Sequence, residues 1–120
     1  MFYKNLEVWK KSIEFVTQIY KETEKFPQSE YFGLISQIRR AAVSIPSNIA
    51  EGCNRHSDKD TLRFLDIAMG SIGEIETQLI IAQNLNFIDS IEDLSNNIQN
   101  ISAMIVGLKS FLNNKWLKAL

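Results

Sequence analysis

The sequence has few of the side chains that form disulfides and metal sites. Its 120 residues include one cysteine, Cys53, and one histidine, His56. A single cysteine excludes an internal disulfide and is typical of a reducing compartment, so we expect a cytoplasmic protein. A structural zinc site needs four ligands. We therefore expect Cys53 and His56 to be turn residues and the protein to hold no metal or cofactor.

Long apolar segments are also missing. No apolar run approaches the roughly 20 residues that a membrane-spanning helix needs. The first residues mix Lys and Glu with apolar side chains, unlike a signal peptide. We therefore expect no membrane association. The length and the ordinary composition, 45% hydrophobic and 22% charged, predict one globular domain over residues 1–120.

Catalytic motifs are absent too. Cys53 as a nucleophile would have His56 as its only candidate base and no third group to orient that base. Di-iron sites of helical bundles use Glu-x-x-His motifs on two helices, and one histidine cannot supply them. The carboxylates that could invite this interpretation are expected to be solvated or to pair between helices: Glu51, Asp66, Glu74 and Glu76. We therefore expect no enzymatic activity.

What the sequence does have is apolar residues spaced by three and four, the period of amphipathic helices. Short connections between such segments favour antiparallel neighbours, so the pattern predicts an all-α, up-down-up-down four-helix bundle. The predicted helices run from about Asn5 to Lys25, from near Ser29 to Gly52, from Ser57 to about Asn84, and from Ser90 to Trp116 and Leu117.

Helix boundaries and faces follow from particular residues. In helix 1 the predicted buried stripe is Leu6, Trp9, Ile13, Val16 and Tyr20, widened by Val8, Phe15 and Ile19. Gly52 is a candidate C′ residue in the left-handed conformation. Ser57 with Asp60, and Ser90 with Asp93, have the pattern of N-caps.

Proline and glycine raise two further expectations. Pro46 lies inside helix 2, where it costs about 3 kcal/mol. The apolar stripe keeps its phase through Ile49, which favours a kinked continuous helix, with a break at Ile45 as the alternative. Gly70 and Gly73 lower the propensity of helix 3 by roughly 1 kcal/mol each, and a closely approaching helix would compensate for this.

Charge is unevenly distributed along the chain. The net charge is −1, but residues 64–100 hold six acidic residues and no Lys or Arg. Five of the thirteen basic residues fall around the helix 2–helix 3 turn: Arg39, Arg40, Arg55, Lys59 and Arg63. Arginine pairs bidentately with phosphate, so these five are candidate nucleic-acid-binding residues. The alternative is ordinary salt bridging to Glu51, Asp58, Asp60 or Asp66.

Three segments resemble one protein family. They are Gln37-Ile-Arg-Arg-Ala-Ala-Val-Ser-Ile-Pro-Ser-Asn-Ile-Ala-Glu-Gly52, the opening Leu6-Glu-Val-Trp9, and the helix 3 run from Arg63 to Leu79. These resemble the 23S rRNA-intervening-sequence proteins, also called four-helix-bundle proteins, which are encoded in bacterial 23S rRNA genes or elsewhere in bacterial genomes. The resemblance implies a four-helix bundle that assembles into a homo-oligomeric ring, typically a pentamer, and no catalytic residues.

A related branch, the accessory variability determinants of diversity-generating retroelements, is basic and binds nucleic acid. This chain departs from it through its acidic 64–100 segment. Two classes of function therefore stay open. One is an RNA-associated module that uses the basic residues. The other is a structural or adaptor oligomer with a protein partner.

Overall fold

The computed structural model describes the backbone of residues 2–119 and the side chains of residues 2–115. Within this range the chain forms four long α-helices and no strand, as predicted. The helices are α1 (Glu7–Thr23), α2 (Ser36–Cys53), α3 (Asp58–Asn84) and α4 (Glu92–Ala119). The backbone of α4 covers Trp116 and Leu117, but the packing of these side chains lies outside the described residues. The molecule measures 55 × 22 × 20 Å.

Each helix packs antiparallel against the next, and α4 returns to pack against α1. A polar pair lies in each of the four seams: Arg39 with Thr23, Ser44 with Ser71, Lys109 with Asp66, and Asn97 with Gln18. The predicted up-down-up-down bundle is confirmed. Short turns force this topology because they leave no length for a crossover connection.

One apolar core runs along the bundle. Ile38 is fully buried and Ile101 is 2% exposed, in agreement with their predicted core positions. In α1 the buried face is rotated from the predicted stripe. Val8, Phe15 and Ile19 are buried, whereas Ile13 and Tyr20 are each 40% exposed. The stripe named from the spacing lies on the side of α1 that faces α2 and the solvent.

The start of α2 differs from the prediction. A 3-10 turn spans Gln28–Glu30 and a π-helical turn spans Tyr31–Ile35, so regular α-helix begins only at Ser36. Gly33 has the non-helical angles φ −107° and ψ −113°. Further on, α2 passes through Pro46 without interruption, which decides against a break at Ile45. Near Pro46, the side-chain amide of Asn48 donates to the Ser44 carbonyl at 2.7 Å.

Three helix ends were predicted, and their outcomes differ. At Ser90 the side-chain oxygen accepts from the Glu92 N–H at 3.3 Å, where the predicted pattern had Asp93, and α4 begins at Glu92. Ser57 caps α3, because its Oγ accepts from the Asp60 N–H at 3.2 Å.

Gly52 is not a left-handed C′ residue; it lies inside α2. The left-handed residue is Asn86, with φ 62°, just after α3. Around it, the Phe87 N–H donates to the Ala82 carbonyl at 2.9 Å, the bond that closes a Schellman motif.

Gly52 has a different reason to be glycine. A Cβ at this position would lie 3.0 Å from the Cβ of Phe64 and 3.2 Å from the Thr61 carbonyl oxygen. The Thr61 hydroxyl donates to the Gly52 carbonyl at 2.7 Å, which ties the end of α2 to the start of α3. Gly52 therefore permits the close contact between α2 and α3 at their shared turn.

Candidate functional site

The fold separates the five predicted nucleic-acid-binding residues into two groups. Arg39 and Arg40 lie near the start of α2, whereas Arg55, Lys59 and Arg63 lie at the α2–α3 turn and the beginning of α3. From Arg40 to Cys53 α2 rises about 20 Å at 1.5 Å per residue. Only the second group, which we name the turn cluster (Arg55, Lys59 and Arg63), shares one end of the bundle.

Arg39 is engaged within the chain. Its Nε donates to the Thr23 Oγ1 at 2.9 Å, and its guanidinium donates to the Tyr20 carbonyl at 3.3 Å. The same guanidinium lies 4.5 Å from the centre of the Tyr20 ring. The Tyr20 carbonyl already accepts from the Glu24 N–H at 3.2 Å, so the guanidinium is an additional donor to it, and the contacts of Arg39 join α1 to α2. Arg39 therefore has a structural role in the contact between α1 and α2.

The turn cluster is partly engaged. Arg55 forms an ion pair with Glu51 at 2.5 Å, one of the salt bridges expected as the alternative to nucleic-acid binding. The guanidinium groups of Arg55 and Arg63 lie 4.7 and 4.6 Å from the centre of the Phe64 ring. The aromatic ring thus holds two guanidinium groups close together at the surface, a contact that cation–π attraction stabilises.

Two lysines of α4 pair with two further carboxylates of α3. Lys115 lies 3.6 Å from Asp58, and Lys109 pairs with Asp66. Among the described side chains, Lys59 and Arg63 form no ion pair. A shallow cavity of about 470 Å³ lies beside Lys59, lined in part by His56, Lys59 and Lys115.

Cys53 and His56 have different environments. Cys53 is buried, and this burial raises the pKa of its thiol, which disfavours the thiolate that a nucleophile or metal ligand needs. His56 is exposed in the α2–α3 turn. Across the described part of the chain, no three His, Cys, Asp or Glu side chains come together as a group that could hold a metal ion.

A second surface lies on the outer side of α3. Ile67, Ile80 and Ile81 are 43%, 52% and 43% exposed. Gly70 and Gly73 lie between them, and a Cβ at either position would meet nothing within 4 Å. The close approach predicted at these glycines is therefore not made by another helix of the same chain. We name this surface the α3 ridge (Ile67, Gly70, Gly73, Ile80 and Ile81).

One further exposed group, Tyr31 and Phe32, was not among the predicted site residues. Phe32, in the π-helical turn before α2, is 93% exposed, and its ring lies 5.0 Å from the neighbouring ring of Tyr31, edge to face. The only sequence signal was two adjacent aromatic residues before Gly33, which does not distinguish a buried pair from an exposed one.

None of the helices within residues 2–119 combines the length and the apolar character that crossing a bilayer requires. A family model described as 23S rRNA-intervening sequence protein matches residues 4–107. A search of curated proteins found no match.

Among solved structures, the chain is similar to a crystal structure from Bacteroides thetaiotaomicron, described as a protein of unknown function from the S23 ribosomal protein family. The two chains are 27% identical and superpose with a TM-score of 0.75, over 85% of this chain and 97% of the other.

Proposed function

Because the chain belongs to the 23S rRNA-intervening sequence protein family, we propose that it is a non-catalytic cytoplasmic module that works as a homo-oligomer, with the α3 ridge joining copies. For the size of this assembly we propose the ring of five subunits that the family resemblance implies. The observation that carries the proposal is the exposure of Gly70 and Gly73 between three exposed isoleucines.

The energetic argument is local to α3. Each glycine inside a helix costs roughly 1 kcal/mol relative to alanine. Gly52 offsets that cost by allowing contact with Phe64, but Gly70 and Gly73 have no such contact within the chain. Another copy could pack closely over these two positions because glycine has no side chain. It would then cover Ile67, Ile80 and Ile81.

Light scattering on the purified protein tests the proposal. We expect a particle several times heavier than the 13.8 kDa chain at micromolar concentration. Gly70→Ala with Gly73→Ala should raise helix propensity but lower the oligomer mass, because the two added methyl groups lie at the contact. Gly107→Ala is the matched control, since a Cβ there also meets nothing within 4 Å, and it should leave the mass unchanged.

Two results would contradict the proposal. A wild-type protein that is monomeric at micromolar concentration would rule out self-assembly and favour a protein partner on the α3 ridge, the adaptor role. A wild-type oligomer that survives the double glycine substitution would place the contact elsewhere on the chain.

A second candidate function is weak, sequence-tolerant nucleic-acid binding. The observation that favours it is the turn cluster, where Arg55 and Arg63 flank Phe64 and Lys59 stands near Lys115. In an oligomer every subunit would present this cluster, so modest contacts would add through multivalency. Arg39 contributes less in this proposal because it binds Thr23 and Tyr20, while Arg40 stays available as an exposed cation.

A further inference from the structure

The most exposed large apolar side chain in the described part of the molecule is Phe32, at 93%. It projects from the π-helical turn Tyr31–Ile35, and Tyr31, 55% exposed, stacks against it edge to face at 5.0 Å. Inside this segment Gly33 has the non-helical angles φ −107° and ψ −113°, so the backbone kinks next to the two aromatic residues. We name Tyr31 and Phe32 the aromatic knob.

The bundle also has an apolar cavity of about 270 Å³ at its surface, in the seam between α1 and α2. Of the residues that the structure describes, no charged one lines it. At its edges Ile13 and Val43 are each 40% exposed. The main apolar lining residues are Trp9, Ile13, Val16, Val43, Pro46 and Ala50.

The knob does not occupy the cavity of its own chain. A side chain that is 93% exposed has almost no intramolecular contact. The cavity lies farther along α2, because Val43 and Ala50 are about 10 and 21 Å beyond Ser36 at 1.5 Å per residue. The knob and the cavity of one chain therefore do not meet, and a contact between them needs two chains.

Charge distribution favours a second copy as the occupant of the cavity. The fold places residues 21–40 and 74–93 in the half of the bundle that carries the knob, and these hold eight acidic and four basic residues. The other half, which carries the cavity, holds nine basic and six acidic residues. Glu30 lies at the base of the knob, since its carboxylate oxygen would be 3.3 Å from a Cβ on Gly33. Lys10 is an exposed cation of α1 in the half that carries the cavity.

We propose that the aromatic knob of one copy inserts into the α1–α2 cavity of the next copy. The contact joins two different surfaces, so it is head-to-tail, and repeated copies close into a ring or grow into a filament. This inference rests on the proposed homo-oligomer and adds to it the identity of two contacting surfaces, which lie apart from the α3 ridge.

Phe32→Ala tests the knob, and Phe111→Ala is its control because Phe111 is an exposed phenylalanine of α4, at 61%. Sedimentation velocity over a concentration series should show self-association weakened by roughly 30-fold or more for Phe32→Ala, as for other aromatic anchors of interfaces. Phe111→Ala should associate like the wild type. Val43→Arg tests the cavity and should weaken association as Phe32→Ala does.

Mixing the two variants tests the head-to-tail geometry. Phe32→Ala keeps an intact cavity and Val43→Arg keeps an intact knob. The mixture should therefore associate more strongly than either variant alone, because one intact knob can then meet one intact cavity. Circular dichroism of each variant establishes that it is folded.

The failures of the two proposals are distinguishable. A monomeric wild type would overturn the homo-oligomer itself. A wild type that assembles while Phe32→Ala assembles equally well would overturn only the knob contact. A mixture that gives no complex, although both variants are folded and each is weakened alone, would overturn the head-to-tail geometry.

Discussion

At the scale of single residues, the sequence predicts the structural role of a residue when the local sequence pattern is compatible with only one role. Serine followed three residues later by an acidic residue marked Ser57 as a cap, and the structure confirms it. Glycine has two meanings, a left-handed backbone or a close contact, and Gly52 was assigned the wrong one. The close contact depends on Phe64 and Thr61 across the turn, which local sequence does not show. The residue with the left-handed backbone is Asn86. Asparagine tolerates this conformation because its side chain is short and polar.

Gly52→Ala should destabilise the bundle. The new methyl group would lie 3.2 Å from the Thr61 carbonyl oxygen and 3.0 Å from the Phe64 Cβ, so backbone must move to admit it. We expect the free energy of unfolding in urea to fall by about 1–3 kcal/mol. Gly107→Ala, measured at the same protein concentration, should instead be neutral or raise it by up to about 1 kcal/mol. Equal effects of the two substitutions would mean that helix propensity, and not the contact, governs position 52.

The Cys53 thiol should react slowly in the folded protein. Burial raises its pKa, so less thiolate is present near neutral pH than in the unfolded chain. Iodoacetamide labelling should therefore be slow in buffer and fast in urea, and rapid labelling of the folded chain would show that the thiol is accessible and ionised.

The raised pKa of Cys53 also predicts a pH dependence of stability. The folded state holds the proton more tightly than the unfolded state, so the stabilisation is fully present below the unfolded pKa, about 8.5, and is lost as pH rises through the folded pKa. The free energy of unfolding of the wild type should fall over this range relative to that of Cys53→Ala. Parallel pH profiles of the two proteins would contradict this assignment.

At the scale of the helices, periodicity predicted how many there are and most of their length, but not which side of each is buried. In α1 apolar residues occupy more than one side, and contacts with both α2 and α4 decide that Phe15 and Ile19 are buried while Ile13 is not. The predicted start of α2, near Ser29, was also wrong, because regular α-helix begins at Ser36. The segment Tyr31–Ile35 departs from a regular helical start because Gly33 has non-helical backbone angles, which the spacing of apolar residues does not predict.

Arg39→Ala should loosen the seam between α1 and α2. It removes a donor to Thr23, a donor to the Tyr20 carbonyl and a cation–π contact, and leaves the buried Thr23 with fewer partners. Hydrogen bonds that involve a charged group are typically worth about 1.5–3 kcal/mol. Because Arg39 is only partly buried, we expect a loss of about 1–2 kcal/mol in the free energy of unfolding.

Arg40→Ala is the control for Arg39, because Arg40 is the adjacent exposed arginine. It should change the free energy of unfolding by no more than about 0.5 kcal/mol. Similar effects at both positions would contradict a structural role for Arg39. The comparison also shows why an Arg39 substitution is a poor test of nucleic-acid binding, since any loss of binding would be mixed with a loss of stability.

At the scale of the whole molecule, the fold converts a charge pattern along the sequence into one along the bundle axis. Short antiparallel connections bring the beginning of α1, the end of α2, the beginning of α3 and the end of α4 to one end. That end gathers the turn cluster with Lys109 and Lys115. The acidic residues that follow Gly73 collect toward the other end. The sequence showed the two charged segments, but only the topology shows that the acidic one is held away from the turn cluster.

This separation sharpens the test of nucleic-acid binding. If the turn cluster binds the phosphate backbone, Lys59→Ala with Arg63→Ala should weaken binding to single-stranded RNA by a similar factor for unrelated sequences. The matched control is Lys21→Ala with Lys25→Ala. It removes the same charge from the end of the bundle opposite the turn cluster, and it should have little effect. With three phosphate contacts per subunit, affinity should fall roughly 20-fold between about 50 and 200 mM salt, because each contact releases counterions. Fluorescence anisotropy with two labelled RNAs of unrelated sequence measures the affinity of each variant, its dependence on RNA sequence and its dependence on salt. Absence of binding at low salt, or equal losses for the two lysine-containing pairs, would remove the turn cluster as a nucleic-acid site and leave assembly through apolar contacts as the function that the surface supports.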